Sequence, residues 1–322
     1  MKIELERSVA NEFNHIRVSR QDGVVRGHFP DFMIVGPQRT GTTWLATNLR
    51  HHPEIFLSFP KELYFFNRLA EAKSSHSLHY ERLNRGGWRK GLGSMIRQLI
   101  KIGYMDFYRT GRRNANELEW YLKFFEEDDW VVSLVKRMVG EQTDLPGEVP
   151  KVRGEATASY AVLEHGVIQD IVRLNPDIKI VLMIRDPVER AWSHAKKDLV
   201  RDGVRSFKEI ASEDFIQYLS SPYMIKCGTY TAAIENWKAY LKPDHLFVGM
   251  YDELRSAPAE LLLRLYDFLG VEVNERYISQ RVQNVINKTN EIEIPAECRT
   301  YLENIYQEER SRLKSQYHVD FQ

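Results

Sequence analysis

The sequence predicts an α/β fold in which a central, mostly parallel β-sheet lies between two layers of helices as a three-layer sandwich. Short apolar segments, typical of buried strands, alternate along the chain with helical patterns. The clearest strands are Lys179–Ile184 (KIVLMI) and residues 31–36 (DFMIVG). Each is followed directly by polar residues and the start of a helix. In such sheets ligands bind beyond the carboxyl ends of the strands, so these two strand ends are the first candidates for a site.

The remaining elements follow from the same patterns. Short apolar segments predict three further strands, at residues 55–57, 151–155 and 245–250. Apolar periodicity and its end signals predict helices at residues 42–50, 117–125, 163–174, 187–200, 231–241, 258–269 and 297–317. Pro187 suits the first turn of its helix, and Gly270 suits the residue after a helix end.

The composition excludes some classes of partner and ligand. Lys plus Arg and Asp plus Glu both number 45, so the formal net charge is zero and we expect no nucleic-acid partner. The two cysteines, Cys227 and Cys298, are too scattered for a disulfide framework or a metal site. The histidine pairs lack a third ligand at a suitable spacing, so we expect no metal.

No linker or repeat divides the chain, which predicts a single domain over residues 1–322, with an N-terminal arm at 1–28 and a basic insertion at 70–115. Within this insertion, residues 81–113 contain nine Lys and Arg and only two acids. We expect it to contact an anionic acceptor or a membrane surface, although a solvated helix covering the core has the same pattern. No segment reaches the roughly 20 apolar residues of a membrane span, and no signal-peptide pattern begins the chain, which predicts a cytoplasmic protein.

The first predicted strand leads into a glycine-rich loop, residues 36–43 (GPQRTGTT). A strand, two glycines separated by four residues and a helix form the outline of a P-loop, whose amides and helix N-terminus bind phosphate. The fold is therefore predicted to be P-loop-like. In triphosphate-binding loops a lysine follows the second glycine, but here that position is Thr42, and the cation is Arg39 inside the loop. With no evident acid for Mg²⁺ either, the loop suits a less charged group than a triphosphate.

A second candidate anion site follows the strand Lys179–Ile184. Arg185 leaves the end of this strand, and Ser193 lies about two turns into the next helix. The two side chains can therefore reach one anion from two directions. The alternative is a surface ion pair of Arg185 with Asp186 or Glu189.

Together the two sites resemble the donor-binding motifs of PAPS-dependent sulfotransferases, and most closely those of the heparan-sulfate-type N- and 3-O-sulfotransferases and their bacterial relatives. The segment PQRTGTTWL is similar to the family's 5′-phosphosulfate loop, and Arg185 with Ser193 is similar to its 3′-phosphate motif. The resemblance implies PAPS as co-substrate, PAP as product and no metal. It also implies the following donor-binding residues: Arg39, Thr40, Gly41, Thr42, Thr43, Trp44, Arg185, Ser193, Tyr230 and Lys288.

The same resemblance points to catalytic residues. The segment KELYFF is similar to the K-E-x-H-F-F segment of heparan-type enzymes, whose glutamate is the general base, so Glu62 is the candidate base. Arg39 is expected to neutralise charge on the departing phosphate oxygen. The family's histidine is Tyr64 here, which argues against a two-residue base. Lys61 and Tyr64 are assigned to the acceptor. The alternative for Glu62 is a surface ion pair with Lys61 or with an arginine.

Two further segments extend the resemblance towards the acceptor. LEWY is similar to the family's L-x-W-Y helix and assigns Trp120 and Tyr121 to the acceptor, although such residues more often belong to the core. GEATASY is similar to the family's G-E-K-[ST]-P-x-Y segment, with Ala156 in place of the lysine. Its Glu155 is a further catalytic candidate, which either helps to position the acceptor or Arg39 or is a buried acid at a strand end.

The sequence therefore predicts a sulfotransferase that moves a sulfuryl group from PAPS to a hydroxyl or amine by in-line displacement. The acceptor is a carbohydrate, a lipid or a small molecule. Two other classes stay open. One is an ATP-dependent small-molecule kinase, against which Thr42 argues. The other is a noncatalytic glycan- or membrane-binding protein that uses the basic insertion.

Overall fold

A five-stranded parallel sheet forms the centre of the computed structural model, which describes residues 1–6, 13, 24–58, 61–71, 118–126, 150–201, 207, 210–284 and 292–321. The strands in these residues are β1 (Lys2–Glu6), β2 (Val24–His28), β3 (Phe32–Gly36), β4 (Ile55–Leu57), β5 (Val152–Ala156), β6 (Lys179–Ile184) and β7 (Leu246–Met250). The central sheet has the order β4-β5-β3-β6-β7, and every neighbouring pair is parallel. β1 and β2 form a separate antiparallel pair.

Helices connect these strands. In the described residues they are α1 (Thr42–Leu49), α2 (Phe65–Glu71), α3 (Leu118–Leu122), α4 (His165–Leu174), α5 (Pro187–Ala195), α6 (Ser212–Leu219), α7 (Pro222–Gly228), α8 (Tyr230–Lys238), α9 (Glu253–Ser256), α10 (Pro258–Leu269) and α11 (Ala296–Tyr317). Short 3₁₀ turns occur at Lys123–Phe125, Ala158–Val162 and Glu275–Tyr277, and a π-helical turn extends α5 at Lys196–Arg201. Over the described residues, the structure contains no helix with the combined length and apolar character of a membrane span.

The side chains of β3 alternate between two apolar cores on opposite faces of the sheet. Met33 and Val35 pack in one core with residues of α4 and α8, and Phe32 and Ile34 pack in the other with residues of α1 and α10. Both faces are covered, which explains why the strand is a continuous apolar segment rather than an alternating one. The predicted three-layer α/β sandwich with a mostly parallel central sheet is confirmed.

All five predicted strands and all seven predicted helices are present, and the strand ends differ from the prediction by one residue at most. The helix predicted at 117–125 ends earlier, because its last three residues form a 3₁₀ turn. The pair β1 and β2, and the helices α2, α6, α7 and α9, were not predicted. β1 pairs with a strand that begins at Val24, and no local pattern indicates a partner that distant in the chain.

Buried polar contacts join the C-terminal helix α11 to the rest of the fold. Glu309 is 6% exposed and accepts hydrogen bonds from Thr231 N and Thr231 Oγ1, both at 2.8 Å. Thr231 lies in the first turn of α8, so this carboxylate satisfies a helix N-terminus. The adjacent Arg310 donates from Nε to Asp186 Oδ2 at 2.8 Å, and Asp186 also caps α5 by accepting from Glu189 N at 2.9 Å.

Replacing Glu309 by alanine is expected to lower the free energy of unfolding by about 1–3 kcal/mol, because the amide of Thr231 loses a buried partner. Urea unfolding followed by circular dichroism measures this change. Glu308→Ala is the matched control, since Glu308 is 77% exposed in its pair with Arg312 and such surface pairs contribute about 0–1 kcal/mol. Equal losses for the two variants would contradict the role assigned to Glu309.

Candidate functional site

The loop between β3 and α1 has a backbone that requires glycine at two positions. Gly36 and Gly41 have φ angles of 102° and 91°, in the left-handed region. A Cβ atom on Gly36 would lie 2.1 Å from Ala158 O, and one on Gly41 would lie 2.1 Å from Leu254 Cδ1. Gly41 is also the N-cap of α1 and has no side chain to cap it, so the positive end of the helix dipole faces the loop. This backbone suits the binding of an anion.

The side chains of the loop connect it to the neighbouring helices. Thr40 Oγ1 donates to Pro37 O at 2.7 Å and closes the turn. Gln38 Nε2 donates to Tyr223 OH, which joins the loop to α7. Arg39, with φ of 72°, donates from Nε to Ser193 Oγ on α5 at 2.9 Å. The loop therefore presents its cation towards the helix that follows β6.

Arg185 begins the segment after β6 and reaches the same place. Its Nη1 donates to Arg39 O at 3.4 Å, and its guanidinium lies 4.4 Å from the ring centroid of Tyr251. Its backbone amide donates to Tyr230 OH at 3.4 Å. Arg39, Arg185 and Ser193 thus meet at the carboxyl ends of two adjacent parallel strands. The two arginines share one site, and they can hold two negative groups of one ligand.

A carboxylate lies next to the first loop. Glu62 Oε2 accepts from Ala158 N at 3.0 Å, and Ala158 is the residue that leaves no room for a Cβ atom on Gly36. The other oxygen of Glu62 forms an ion pair with Lys61 Nζ. The carboxylate is 24% exposed, so a group bound at the loop can reach it. It is therefore placed to accept a proton next to an anion site.

The turn around this carboxylate has an unusual backbone. Glu62 and Tyr64 have φ angles of 68° and 55°, which non-glycine residues rarely adopt. Three hydrogen bonds to the last residue of β5 and the two residues after it hold this turn: Glu62 N to Ala156 O at 2.9 Å, Leu63 N to Thr157 Oγ1 at 3.0 Å, and Ala158 N to Glu62 Oε2 at 3.0 Å.

A second carboxyl group, that of Glu155 at the end of β5, is fully buried. Tyr121 OH donates to its Oε1, and Thr157 Oγ1 donates to its Oε2 at 3.0 Å. Burial raises the pKa of Glu155 to about 8, against the lowering effect of the hydrogen bonds from Tyr121 and Thr157, and the negative charge of Glu62 raises this pKa further. Glu155 is therefore mostly neutral at pH 7.

The remaining predicted site residues have varied surroundings. Trp44 is buried, and its Nε1 donates to Val282 O at 3.0 Å. Thr42 is buried and Thr43 is half-buried in the first turn of α1. Trp120 is 8% exposed and packs edge-on against Phe124 at 5.0 Å between ring centroids. Lys288 and the basic segment 81–113 lie outside the described residues.

Several residues of the site were not predicted. Thr157, whose hydroxyl lies between Leu63 N and Glu155, belongs to the segment GEATASY, but its polar contacts depend on a distant turn. Tyr251 directly follows β7, so the rule that ligand-binding residues follow parallel strands could have found it. In the described part of the chain, no three His, Cys, Asp or Glu side chains are grouped to hold a metal ion.

Residues 30–275 match the sequence profile described as the Sulfotransferase family. The chain belongs to the sulfotransferase family. The resemblance inferred from the two donor loops is thereby confirmed. Because the match begins two residues before β3 and ends in the turn after α10, it includes all five strands of the central sheet.

The curated relatives of this sulfotransferase-family chain include heparan sulfate enzymes. Mouse bifunctional heparan sulfate N-deacetylase/N-sulfotransferase 4 is 24% identical over 264 residues, which cover 78% of the chain and 23% of the relative. Human heparan sulfate glucosamine 3-O-sulfotransferase 6 is 25% identical over 252 residues, which cover 78% of the chain and 55% of the relative. The chain thus spans about a quarter of the length of the mouse bifunctional enzyme and about half of the length of the human 3-O-sulfotransferase.

Among solved structures, a sulfotransferase from Alicyclobacillus acidocaldarius aligns with a TM-score of 0.53 at 23% identity, covering 91% of this chain and 98% of that one. This similarity concerns the fold alone, and it agrees with the P-loop-like α/β sandwich predicted from the sequence.

Glu155→Gln is expected to change how the stability of the folded protein depends on pH. Burial raises the pKa of Glu155 from 4.5 to about 8, so the folded state binds the proton more tightly than the unfolded chain. Relative to the variant, the wild type should therefore lose stability as pH rises from about 5 to 8, by at most about 1.4 kcal/mol per pH unit. Above pH 8 the difference should level off.

Urea unfolding of both proteins at pH 5, 6, 7, 8 and 9 measures this difference. A wild-type minus variant difference that stays constant over this range would mean that Glu155 is ionised in the folded protein at neutral pH.

Proposed function

We propose that this member of the sulfotransferase family transfers a sulfuryl group from PAPS to a hydroxyl or amine and releases PAP. The observation that carries the proposal is the convergence of Arg39, Arg185 and Ser193, joined by contacts of 2.9 and 3.4 Å at adjacent strand ends. PAPS carries two separate anionic ends, a 5′-phosphosulfate and a 3′-phosphate. A site with two cations supplied by two strand ends fits such a ligand.

The loop residues are assigned to the 5′-phosphosulfate. The backbone amides at the N-terminus of α1, which follows Gly41, and the hydroxyls of Thr42 and Thr43 are assigned to this anion. Gly41 also leaves room for Leu254 of α9, whose Cδ1 would lie 2.1 Å from a Cβ atom at this position, so α9 can pack directly against the loop. Thr40 supports the loop by its hydrogen bond to Pro37 O.

The 3′-phosphate is assigned to Arg185 and Ser193. The stacking of Arg185 on Tyr251 fixes the plane of the guanidinium, and a guanidinium held in this way can bind a phosphate through two hydrogen bonds. Tyr230 supports the same segment through its contact with the amide of Arg185. Lys288 is assigned to this phosphate from the sequence alone.

PAPS supplies an activated sulfuryl group joined to a phosphate through a bridging oxygen. In the proposed reaction the acceptor oxygen or nitrogen forms a bond to sulfur while the bond from sulfur to the bridging oxygen breaks. Glu62 accepts the proton that leaves the acceptor, since its carboxylate is partly exposed next to the loop. Arg39 stabilises the negative charge that develops on the phosphate oxygen.

The acceptor is proposed to be a carbohydrate, a lipid or another small molecule. The relatives named for heparan sulfate favour a sugar hydroxyl or a sugar amine. Lys61 and Tyr64, which flank Glu62 and Leu63, are assigned to this acceptor, as is Trp120. Tyr121 was also assigned to the acceptor from the sequence, but it is fully buried against Glu155 and Phe65 and therefore supports the site from behind. A cytoplasmic location and a peripheral membrane contact through residues 81–113 belong to the same proposal and rest on the sequence.

Isothermal titration calorimetry with PAP, and with ATP and Mg²⁺, tests the class of donor. Family membership and Thr42 both favour PAP, so PAP should bind and ATP should not. Binding of Mg²⁺-ATP without binding of PAP would favour the kinase instead.

Arg185→Ala is expected to weaken PAP binding by about 10- to 100-fold, because a charge-assisted hydrogen bond to phosphate is worth roughly 1.5–3 kcal/mol. The measurement is the same calorimetric titration. Arg264→Ala is the matched control, since Arg264 is 54% exposed in a surface pair with Glu253. Unchanged affinity in the Arg185 variant would remove this residue from the donor site.

Glu62→Gln is expected to lower kcat by about 100-fold or more, because the amide cannot accept the acceptor proton. The affinity for PAP should change little, since this side chain is not assigned to the donor. Transfer of ³⁵S from labelled PAPS measures turnover, and Glu260→Gln, on an exposed part of α10, is the control. A fully active Glu62 variant would rule out this residue as the base.

A further inference from the structure

A chain of hydrogen bonds links the buried carboxyl group of Glu155 to the turn that carries Glu62. Leu63 N donates to Thr157 Oγ1 at 3.0 Å, and Thr157 Oγ1 donates to Glu155 Oε2 at 3.0 Å. A hydroxyl group has a single proton. Because Thr157 accepts the amide proton of Leu63, it gives its own proton to Glu155, and both contacts have a defined direction.

The turn needs such support. Leu63 lies between Glu62 and Tyr64, two non-glycine residues in the left-handed region, with φ angles of 68° and 55°. This conformation is disfavoured for residues with a Cβ atom and persists only where the surroundings enforce it. Leu63 is 1% exposed, so its amide has no water to replace a lost partner. The Thr157 hydroxyl therefore stabilises the middle of the turn.

The other oxygen of Glu155 connects the same carboxyl group to the predicted acceptor helix. Tyr121 of α3 donates to Oε1, and the ring of Tyr121 stacks on Phe65 at 4.5 Å with an interplanar angle of 14°. Phe65 is the first residue of α2, directly after the turn. Glu155 is thus linked to the segment that presents Glu62 in two places, through Thr157 to Leu63 and through Tyr121 to Phe65.

We propose that Glu155 is a positioning residue that holds Glu62 in place for proton removal by orienting the hydroxyl group of Thr157. This inference rests on the proposed function, in which Glu62 is the base. Glu155 is fully buried and so does not touch the acceptor. Its role differs from the direct positioning of the acceptor or Arg39 expected from the sequence, because its carboxyl group is hydrogen-bonded to Tyr121 and Thr157.

The protonation of Glu155 is consistent with this role. The titratable groups around it are Tyr121 of α3, Tyr160 of the 3₁₀ turn at Ala158–Val162, and Glu62. Burial raises the pKa of Glu155 to about 8, so near pH 7 it adds little negative charge beside Glu62.

Replacing Thr157 by valine removes the hydroxyl group with little change of volume. We expect kcat to fall about 10- to 100-fold, as for other small displacements of a catalytic group, while KM for PAPS and the affinity for PAP stay within about twofold. Thr157→Ser, which restores the hydroxyl, should recover most of the lost kcat.

Thr231→Val is the matched control for effects on stability. Thr231 Oγ1 also donates to a buried glutamate, Glu309, at 2.8 Å, but this pair joins α8 to α11. The Thr231→Val variant should have a lower free energy of unfolding than the wild type but an unchanged kcat. Equal kcat values for Thr157→Val and Thr157→Ser would overturn the positioning role.

The pH profile of kcat gives a readout that a purely structural role would not move. In the wild type, kcat should fall above about pH 8, where ionisation of Glu155 places a second negative charge beside Glu62. Glu155→Gln cannot ionise, so its profile, scaled to its own maximum, should stay flat in that range. Superimposable profiles of the two proteins would overturn the proposal.

These outcomes are distinguishable from a failure of the proposed function. If the wild type neither binds PAP nor transfers sulfur, the proposed function itself fails. If it does both, and Glu62→Gln is inactive, the Thr157 variants decide on the positioning role alone.

Discussion

The parallel alignment of β5, β3 and β6 is the constraint on which the rest of the site depends. Phe32 of β3 is paired with Gly154 of β5 on one side and with Lys179 of β6 on the other, so the three strands advance together and end at one edge of the sheet. Residues that follow strands far apart in the sequence are thereby brought together. The apolar side chains that bury both faces of β3 fix this alignment, because a shift by one residue would exchange the two cores.

The functional edge combines buried polar groups with disfavoured backbone conformations. Arg39, Glu62 and Tyr64 are three of the five non-glycine residues with positive φ in the described chain, and all three lie at this edge. Such conformations need support from surrounding contacts, and they concentrate where backbone geometry serves function. Here the support comes from hydrogen bonds between loops that follow different strands. The conformation of each loop therefore depends on hydrogen bonds to the neighbouring loop. For this reason the site forms only where the fold brings these loops together.

Much of the fold could be predicted because its signals are local. An apolar segment such as KIVLMI and the glycines of the first loop carry their structural meaning within a few residues. The meeting of Arg39 and Arg185 also followed from a general rule on parallel strands. The contact of the Thr157 hydroxyl with Leu63 N did not follow from any such rule. The two residues are 94 positions apart, and the contact depends on the exact path of a loop. For the same reason the pairing of β1 with β2 had no signal in the sequence.

The two glutamates of the site show how environment divides the roles of one residue type. Glu62 is 24% exposed and its two oxygens face Lys61 Nζ and Ala158 N, whereas Glu155 is fully buried between Tyr121 and Thr157. A carboxyl group without solvent is a poor partner for an acceptor molecule, but it is a rigid hydrogen-bond acceptor, because the protein alone decides its contacts. A partly exposed carboxylate can exchange protons with a substrate but is easily misplaced. In the proposed arrangement the hydroxyl group of Thr157 links the buried carboxyl group of Glu155 to the turn that carries Glu62. The partly exposed carboxylate of Glu62 can then reach a substrate, while the rigid contacts of Glu155 keep its turn in place.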